Sequence, residues 1–156
     1  MLEIDIPGFD QLRLEHLVMD YNGTLALDGS LELGVLEKLR CLAGELSLHV
    51  VTADSHQQAA SQLANAPVKL RIISAEAQAE TKLEYIRELG LDRVVAIGNG
   101  RNDRLMLEAA ALGIVVVQKE GAAFGAIQRA DLVAPNILDA LDLLIHPRRL
   151  LATLRS

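Results

Sequence analysis

Apolar side chains recur along the chain in two alternating rhythms. Residues 14–19 (LEHLVM) read as a strand that ends abruptly at Asp20. Between residues 35 and 46, Val35, Leu36, Leu39, Leu42, Ala43 and Leu46 repeat at helical spacing, and a second strand is expected over 46–52. A helix is expected over about 55–63, a short strand over 70–74 and a helix over 81–89 that stops near Gly90. Residues 93–98 form the next expected strand, followed by a helix over about 102–112 stopped by Gly113 and a fully apolar strand over 113–117. A small helix, a strand at 132–134 and a helix opened by Pro135-Asn136 complete the series. Before all this stands a short extension, about 1–13, with a turn at Pro7-Gly8.

Strands alternating with helices predict an α/β fold, a three-layer, doubly wound, mainly parallel sheet covered on both faces. In such sheets ligands gather beyond the carboxyl ends of the strands, so strand-terminal residues are the candidates for chemistry. With 156 residues, 51% of them hydrophobic, the chain is expected to form one domain over 1–156.

Charge and composition narrow the partners. A net charge of −6 without a basic cluster argues against nucleic acid, and Arg148–Arg149 reads as a solvated tail. No apolar run approaches the ~18 residues of a membrane span, and the acidic start does not resemble a signal peptide. The only cysteine, Cys41, lies in an apolar-periodic stretch and is expected to be buried, which favours a reducing, cytoplasmic setting. Aromatic residues make up only 3%, so platforms for stacking bases or sugars are scarce.

Four elements carry candidate chemistry. Asp20-Tyr21-Asn22-Gly23-Thr24 follows a strand directly. A carboxylate there can attack phosphorus once a metal offsets anion repulsion, and glycine lets backbone N–H groups approach a phosphate. Thr52 ends the strand LHVVT and is placed to offer its hydroxyl to a phosphoryl oxygen, while Asp54 or Ser55 reads as a helix cap. Lys82, at the start of a helix, is placed to neutralise phosphoryl charge, although taken alone it reads as an exposed helical residue. The loop from Gly98 through Asn99, Gly100, Arg101 and Asn102 to Asp103 supplies oxygen ligands of the kind that hold Mg²⁺. His56, Arg101 and Lys119 fall near the same edge and read as ordinary surface residues.

In this order the set resembles the haloacid-dehalogenase superfamily, whose hallmarks are D-x-D-x-T, a strand-terminal Ser or Thr, a Lys and an acidic G-D-x-x-x-D loop. Here they read DYNGT, VVT, Lys82 and GNGRND, the last similar to the hinge loop of P-type ATPases. The whole resembles small soluble P-type-ATPase-like hydrolases. The resemblance spans roughly residues 14–135 and implies a Mg²⁺-dependent phosphohydrolase acting on a small phosphorylated substrate or a phosphoprotein. Asp20, Thr52 and Lys82 would be catalytic. Asn22, Gly23, Thr24 and Asn102 would meet substrate, and Asp20, Asn22, Asn99 and Asp103 the metal.

Two departures matter. Asn22 stands where phosphatases of the superfamily carry the acid that protonates the leaving group and later activates water, help worth about 10²–10⁴-fold, and it can do neither. The P-type ATPases also lack an acid there and carry Thr. Asn99 replaces a second acid and predicts weaker Mg²⁺ binding. Turnover is therefore expected to be reduced and to favour phosphoanhydrides, acyl phosphates or aryl phosphates. The alternative is a catalytically weak or inactive phosphate- or partner-binding protein with the same fold. Only about thirty residues separate the first element from the second and the second from the third, enough for crossovers and no cap domain. An open, capless site implies a homo-oligomer, on the pattern of the tetrameric sugar-acid phosphatases.

Overall fold

The computed structural model describes residues 1–53 and 57–156. In chain order, β1 (Leu2–Ile6) and β2 (Asp10–Leu14) form an antiparallel hairpin, followed by β3 (His16–Met19), β4 (Ala26–Leu27) and β5 (Ser30–Leu31). Next come α1 (Val35–Leu42), β6 (Ser47–Thr52), α2 (Gln58–Gln62), β7 (Val68–Ile72) and α3 (Gln78–Leu89). β8 (Val94–Gly98), α4 (Arg104–Ala109), β9 (Leu112–Val116), α5 (Phe124–Ile127), β10 (Leu132–Ala134), α6 (Ile137–Ile145) and α7 (Pro147–Leu154) complete the chain.

Six strands form one parallel sheet in the order β10-β9-β8-β3-β6-β7. The chain builds outward from β3 through β6 to β7, then returns to the other side of β3 to lay down β8, β9 and β10. The direction therefore reverses between β3 and β8, and a crevice at such a reversal is where ligands bind in open α/β sheets. Asp20 and the 98–103 loop leave the sheet at those two strands.

Alternation along the strands divides the core in two. Leu17 and Met19 point to the face covered by α1, α6 and the hairpin, while Val18 and Val51 point to the face covered by α3, α4 and α5. The architecture is the expected three-layer, doubly wound sheet.

Several local expectations need correction. The expected strand over 14–19 is two: β2 ends at Leu14, and Glu15 gives its N–H to Arg93 O before β3 begins. The opening extension is a hairpin whose Ile4, Ile6, Leu12 and Leu14 join the core on the α1 side. Cys41 is exposed, because α1 buries Val35, Leu39 and Leu42 and presents Cys41 on the opposite face. Arg148 and Arg149 lie in α7, with Arg149 3.8 Å from Asp142. The helix expected over 102–112 is a 3-10 turn at Arg101–Asp103 followed by α4. Of the helix expected over 55–63, Gln58–Gln62 is helical, and Asp54, Ser55 and His56 lie outside the described residues.

A polar chain crosses the interface between the sheet and α3. His49 on β6 is 2% exposed; its Nε2 lies 3.1 Å from His16 Nδ1 and its Nδ1 2.8 Å from Tyr85 Oη. Burial, with His16 and Lys69 nearby, pushes His49 down to about 4 from the usual 6.5. A histidine held neutral in the fold and free to charge when unfolded contributes stability that is intact above pH 6.5 and is lost as pH falls toward 4. The loss expected from this group is about 3 kcal/mol. Denaturant midpoints at pH 7.5 and 4.5 for the protein and for His49→Phe check this: the variant should lose much less stability on acidification.

Candidate active site

β3 delivers Asp20 to the carboxyl edge of the sheet, where its backbone N–H donates to Ile97 O at 3.0 Å and ties the loop to β8. The next six residues coil tightly: the N–H groups of Thr24, Leu25 and Ala26 all converge on Tyr21 O. Tyr21, fully buried, donates its hydroxyl to Gly29 O at 2.8 Å and so pins the β4–β5 turn to this loop. Gly23 adopts φ +77°, and a Cβ there would lie 2.3 Å from Asn99 Nδ2, so the loop passes the β8 loop at a distance only glycine permits.

Gln118, just beyond β9, holds the far side of the loop. Its Nε2 donates to Gly23 O at 3.0 Å and Thr24 O at 2.9 Å, while its Oε1 accepts the Ile137 N–H at 2.8 Å. One side chain thereby joins the Asp20 loop to the start of α6. The sequence reading missed it, although a polar residue directly after an apolar strand is the same signal that marks Asp20 and Thr52.

Three charged side chains meet beneath the loop. Lys82 Nζ donates to Asp20 Oδ1 at 2.8 Å and to Asp103 Oδ1 at 2.7 Å. Lys82 and Asp103 are fully buried and Asp20 is 5% exposed. Asp103 Oδ2 accepts the N–H groups of Asn99 and Gly100 at 3.0 and 2.9 Å. Gly98 makes this possible, because a Cβ on it would lie 2.5 Å from Asp103 Cγ.

Two carboxylates share one ammonium, so the buried set carries one excess negative charge. Burial and the neighbouring Asp103 push the Asp20 carboxyl up to about 6, against the pull of Lys82. Burial alone would lower Lys82, but Asp20 and Asp103 outweigh it and hold the ammonium above its usual range.

Above the set lies a polar cavity of about 230 Å³ lined by Asp20, Asn22, Thr52, Ala53, Gln78, Asn99, Gly100 and Asn102. The fold thus gathers Asp20, Asn22, Thr52, Asn99 and Asn102 round one space, with Lys82 directly behind Asp20. Lys82 is not the exposed helical residue its position alone suggests.

Three expected contacts differ. Asp103 was expected to face a metal, yet both its oxygens are committed to Lys82 and the loop, and it does not line the cavity. Thr24 was expected to meet substrate, yet it is fully buried, with Oγ1 3.3 Å from Asn99 Oδ1 and 3.5 Å from Asp20 Oδ2. Gly23 gives its N–H to Ala26 O and lines a neighbouring cavity of about 430 Å³ together with Glu32, Gln118 and Lys119. Arg101 borders a third cavity beside Asn102. Gln78, which no sequence signal marked, lines the polar cavity and accepts a hydrogen bond from Asn102 at 2.7 Å.

Among the described residues, no three His, Cys, Asp or Glu side chains are grouped so as to hold a metal ion by themselves. Oxygen donors on the cavity wall include the Asp20 carboxylate, the Asn22 carbonyl and Asn99 Oδ1, which also accepts from Thr24 Oγ1 at 3.3 Å. Asn99 Nδ2 donates to Gly121 O at 3.1 Å, which directs its oxygen away from that partner and toward Thr24. Hard oxygens, one carboxylate and an uncompensated negative charge fit a Mg²⁺ ion that keeps several waters.

No family model matches the chain. A protein of Methanocaldococcus jannaschii, itself uncharacterised, is 46% identical over 79 residues, covering 48% of this chain and 85% of that one. The chain belongs to the same family as that protein. A phosphoserine phosphatase of Archaeoglobus fulgidus is 44% identical over 71 residues, which span 42% of this chain but only 21% of that enzyme. A structure of a phosphatase of the HAD enzyme superfamily from Bacteroides thetaiotaomicron superposes with a TM-score of 0.62 at 12% identity, covering 86% of this chain and 95% of the other. This chain has the haloacid-dehalogenase fold.

Two further structures share that fold. The 3-deoxy-D-manno-octulosonate 8-phosphate phosphatase of Moraxella catarrhalis, in complex with magnesium, phosphate and the sugar acid, gives a TM-score of 0.71 at 15% identity, over 91% of this chain and 94% of its own. The cobalt-bound phosphatase of the same name from Haemophilus influenzae gives 0.70 at 14% identity, over 86% and 88%. Among the described residues, no domain is inserted between the strands of the sheet to act as a cap.

Proposed function

We propose that this chain is a Mg²⁺-dependent phosphohydrolase that works through an aspartyl-phosphate at Asp20. The observation that carries this is the buried Asp20–Lys82–Asp103 set opening onto one polar cavity at the reversal point of the sheet. Similarity to a phosphoserine phosphatase and the fold shared with metal-bound sugar-acid phosphatases support the same direction.

In the first step the Asp20 carboxylate attacks phosphorus and the bond to the leaving oxygen breaks. Lys82 offsets charge at the nucleophile, and Asp103 holds Lys82 in place. Thr52 and Asn102, on the cavity wall, meet the phosphoryl oxygens. Magnesium, held by Asp20, Asn99 and the Asn22 carbonyl, would supply the positive charge that lets a carboxylate approach a phosphate. Asn22 has no proton to give, so the leaving oxygen takes one from water or departs as an anion. Water then attacks the aspartyl-phosphate, releasing phosphate and restoring Asp20. Acyl, aryl and anhydride leaving groups depart readily as anions and suit this site best.

A second reading, a phosphate- or partner-binding protein with little turnover, is favoured by Asn22 and Asn99 standing at the two positions where acids are expected. An open cavity covered by a neighbouring subunit, in a cytoplasmic homo-oligomer, belongs with either. Among the described residues no helix is long and apolar enough to cross a membrane.

Hydrolysis of p-nitrophenyl phosphate and acetyl phosphate by the purified protein separates the two. The hydrolase predicts Mg²⁺-dependent activity lost both with a chelator and in Asp20→Asn. Activity that survives in Asp20→Asn overturns Asp20 chemistry, and none at high protein concentration favours the binding protein.

A further inference from the structure

Beside the polar cavity lies a more open one of about 500 Å³, lined by Gln78, Glu80, Arg101, Asn102, Arg104 and three alanines, 75, 77 and 79. Gln78 and Asn102 line both spaces and are joined by a 2.7 Å hydrogen bond from Asn102 Nδ2 to Gln78 Oε1.

The charge of that wall is unusual for the molecule. The chain carries 21 acidic and 15 basic residues, yet here two arginines flank Asp103, Arg101 on its turn and Arg104 as the first residue of α4. Neither Arg101 nor Arg104 pairs with a carboxylate among the described residues, Glu80 on the same wall included. Arg104 donates through Nη1 to Arg101 O at 2.9 Å, which holds its guanidinium against the turn while leaving its other N–H groups for a ligand. Three alanines line the space, and Ala77, which precedes α3, takes φ +51°, a left-handed conformation uncommon for a residue with a Cβ.

We infer that Arg101 and Arg104 form a subsite for a second anionic group, so that the preferred substrate is a phosphate ester or acyl phosphate whose leaving group carries a carboxylate or another phosphate. Guanidinium groups recognise both anions through paired, charge-assisted hydrogen bonds. The inference rests on the phosphohydrolase proposal and narrows its substrate.

The test is calorimetric binding in the presence of magnesium to Asp20→Asn, which binds without turning over. The probes are ethyl phosphate, which has no second anion, phosphoglycolate, which has a carboxylate, and pyrophosphate, which has a second phosphate. Phosphoglycolate or pyrophosphate should bind about tenfold more tightly than ethyl phosphate, an advantage that shrinks with added salt. Which of the two gains more identifies the second anion. Adding Arg101→Gln and Arg104→Gln should remove the advantage, while Arg148→Gln, a charge change on α7, should keep it. Equal affinity for all three probes, or an advantage that survives in the double-arginine variant, overturns the subsite while leaving the phosphohydrolase standing. Failure of all three probes and of inorganic phosphate to bind folded protein overturns both.

Discussion

Lys82→Met is expected to cost about 3–5 kcal/mol of stability, because it leaves buried carboxylates without their cation. Methionine is close to the lysine stem in length and apolar character, so burial of the stem is largely kept and the loss is mainly electrostatic. Lys82 Nζ is within 2.8 Å of both Asp20 and Asp103, and all three groups are almost wholly removed from water. Without the ammonium, two carboxylates face each other in a low-dielectric site, and the escape open to them is to take up a proton. The destabilisation should therefore be larger at pH 8 than at pH 5.5, since the lower pH supplies that proton. Urea unfolding of the variant and the parent at the two pH values measures it. A variant as stable as the parent at pH 8 would show that the lysine does not neutralise the site.

Asn22→Asp is expected to raise turnover of alkyl phosphates by about 10²–10⁴-fold, the usual worth of a general acid, and to change acetyl phosphate hydrolysis far less. Asn22 is exposed on the wall of the Asp20 cavity, so a carboxyl there is placed to meet the leaving oxygen without a burial penalty. An alkoxide leaves poorly unless protonated, whereas acetate leaves unaided, and the difference between the substrates isolates the proton transfer from any effect on binding. Measuring kcat/KM on both substrates, which reports the phosphorylation step and not the shared hydrolysis of the aspartyl-phosphate, decides it. A variant with no gain on the alkyl ester would favour the binding protein over a weakened enzyme.

Strand ends were legible because a buried parallel strand is a run of apolar residues and the first polar residue after it marks the edge where chemistry sits. Asp20, Thr52 and Asn99 emerge from that rule alone, and the structure brings all three to one cavity. Side-chain commitments were not legible. Asp103 and Lys82 sit on different elements, and only the fold shows that each satisfies the other, removing Asp103 from the cavity wall and Lys82 from solvent. Two short hairpins went unread for a different reason. The alternation of Leu2, Ile4 and Ile6 with polar residues, and the Asp28-Gly29 pair with both residues at positive φ, are strand and turn signals. They were obscured by the length of the segments, two to five residues each. Gln78 and Gln118 act through hydrogen bonds to other loops, a property with no periodicity to reveal it.

The most direct test of Asp20 as nucleophile is to mix the protein with magnesium and acetyl phosphate carrying a radioactive phosphoryl group, quench in acid, and map the label by peptide. The proposed chemistry predicts acid-stable, hydroxylamine-sensitive label on the peptide containing Asp20, absent from Asp20→Asn. Label retained in Asp20→Asn, or hydrolysis with no label on that peptide at any quench time, would contradict it.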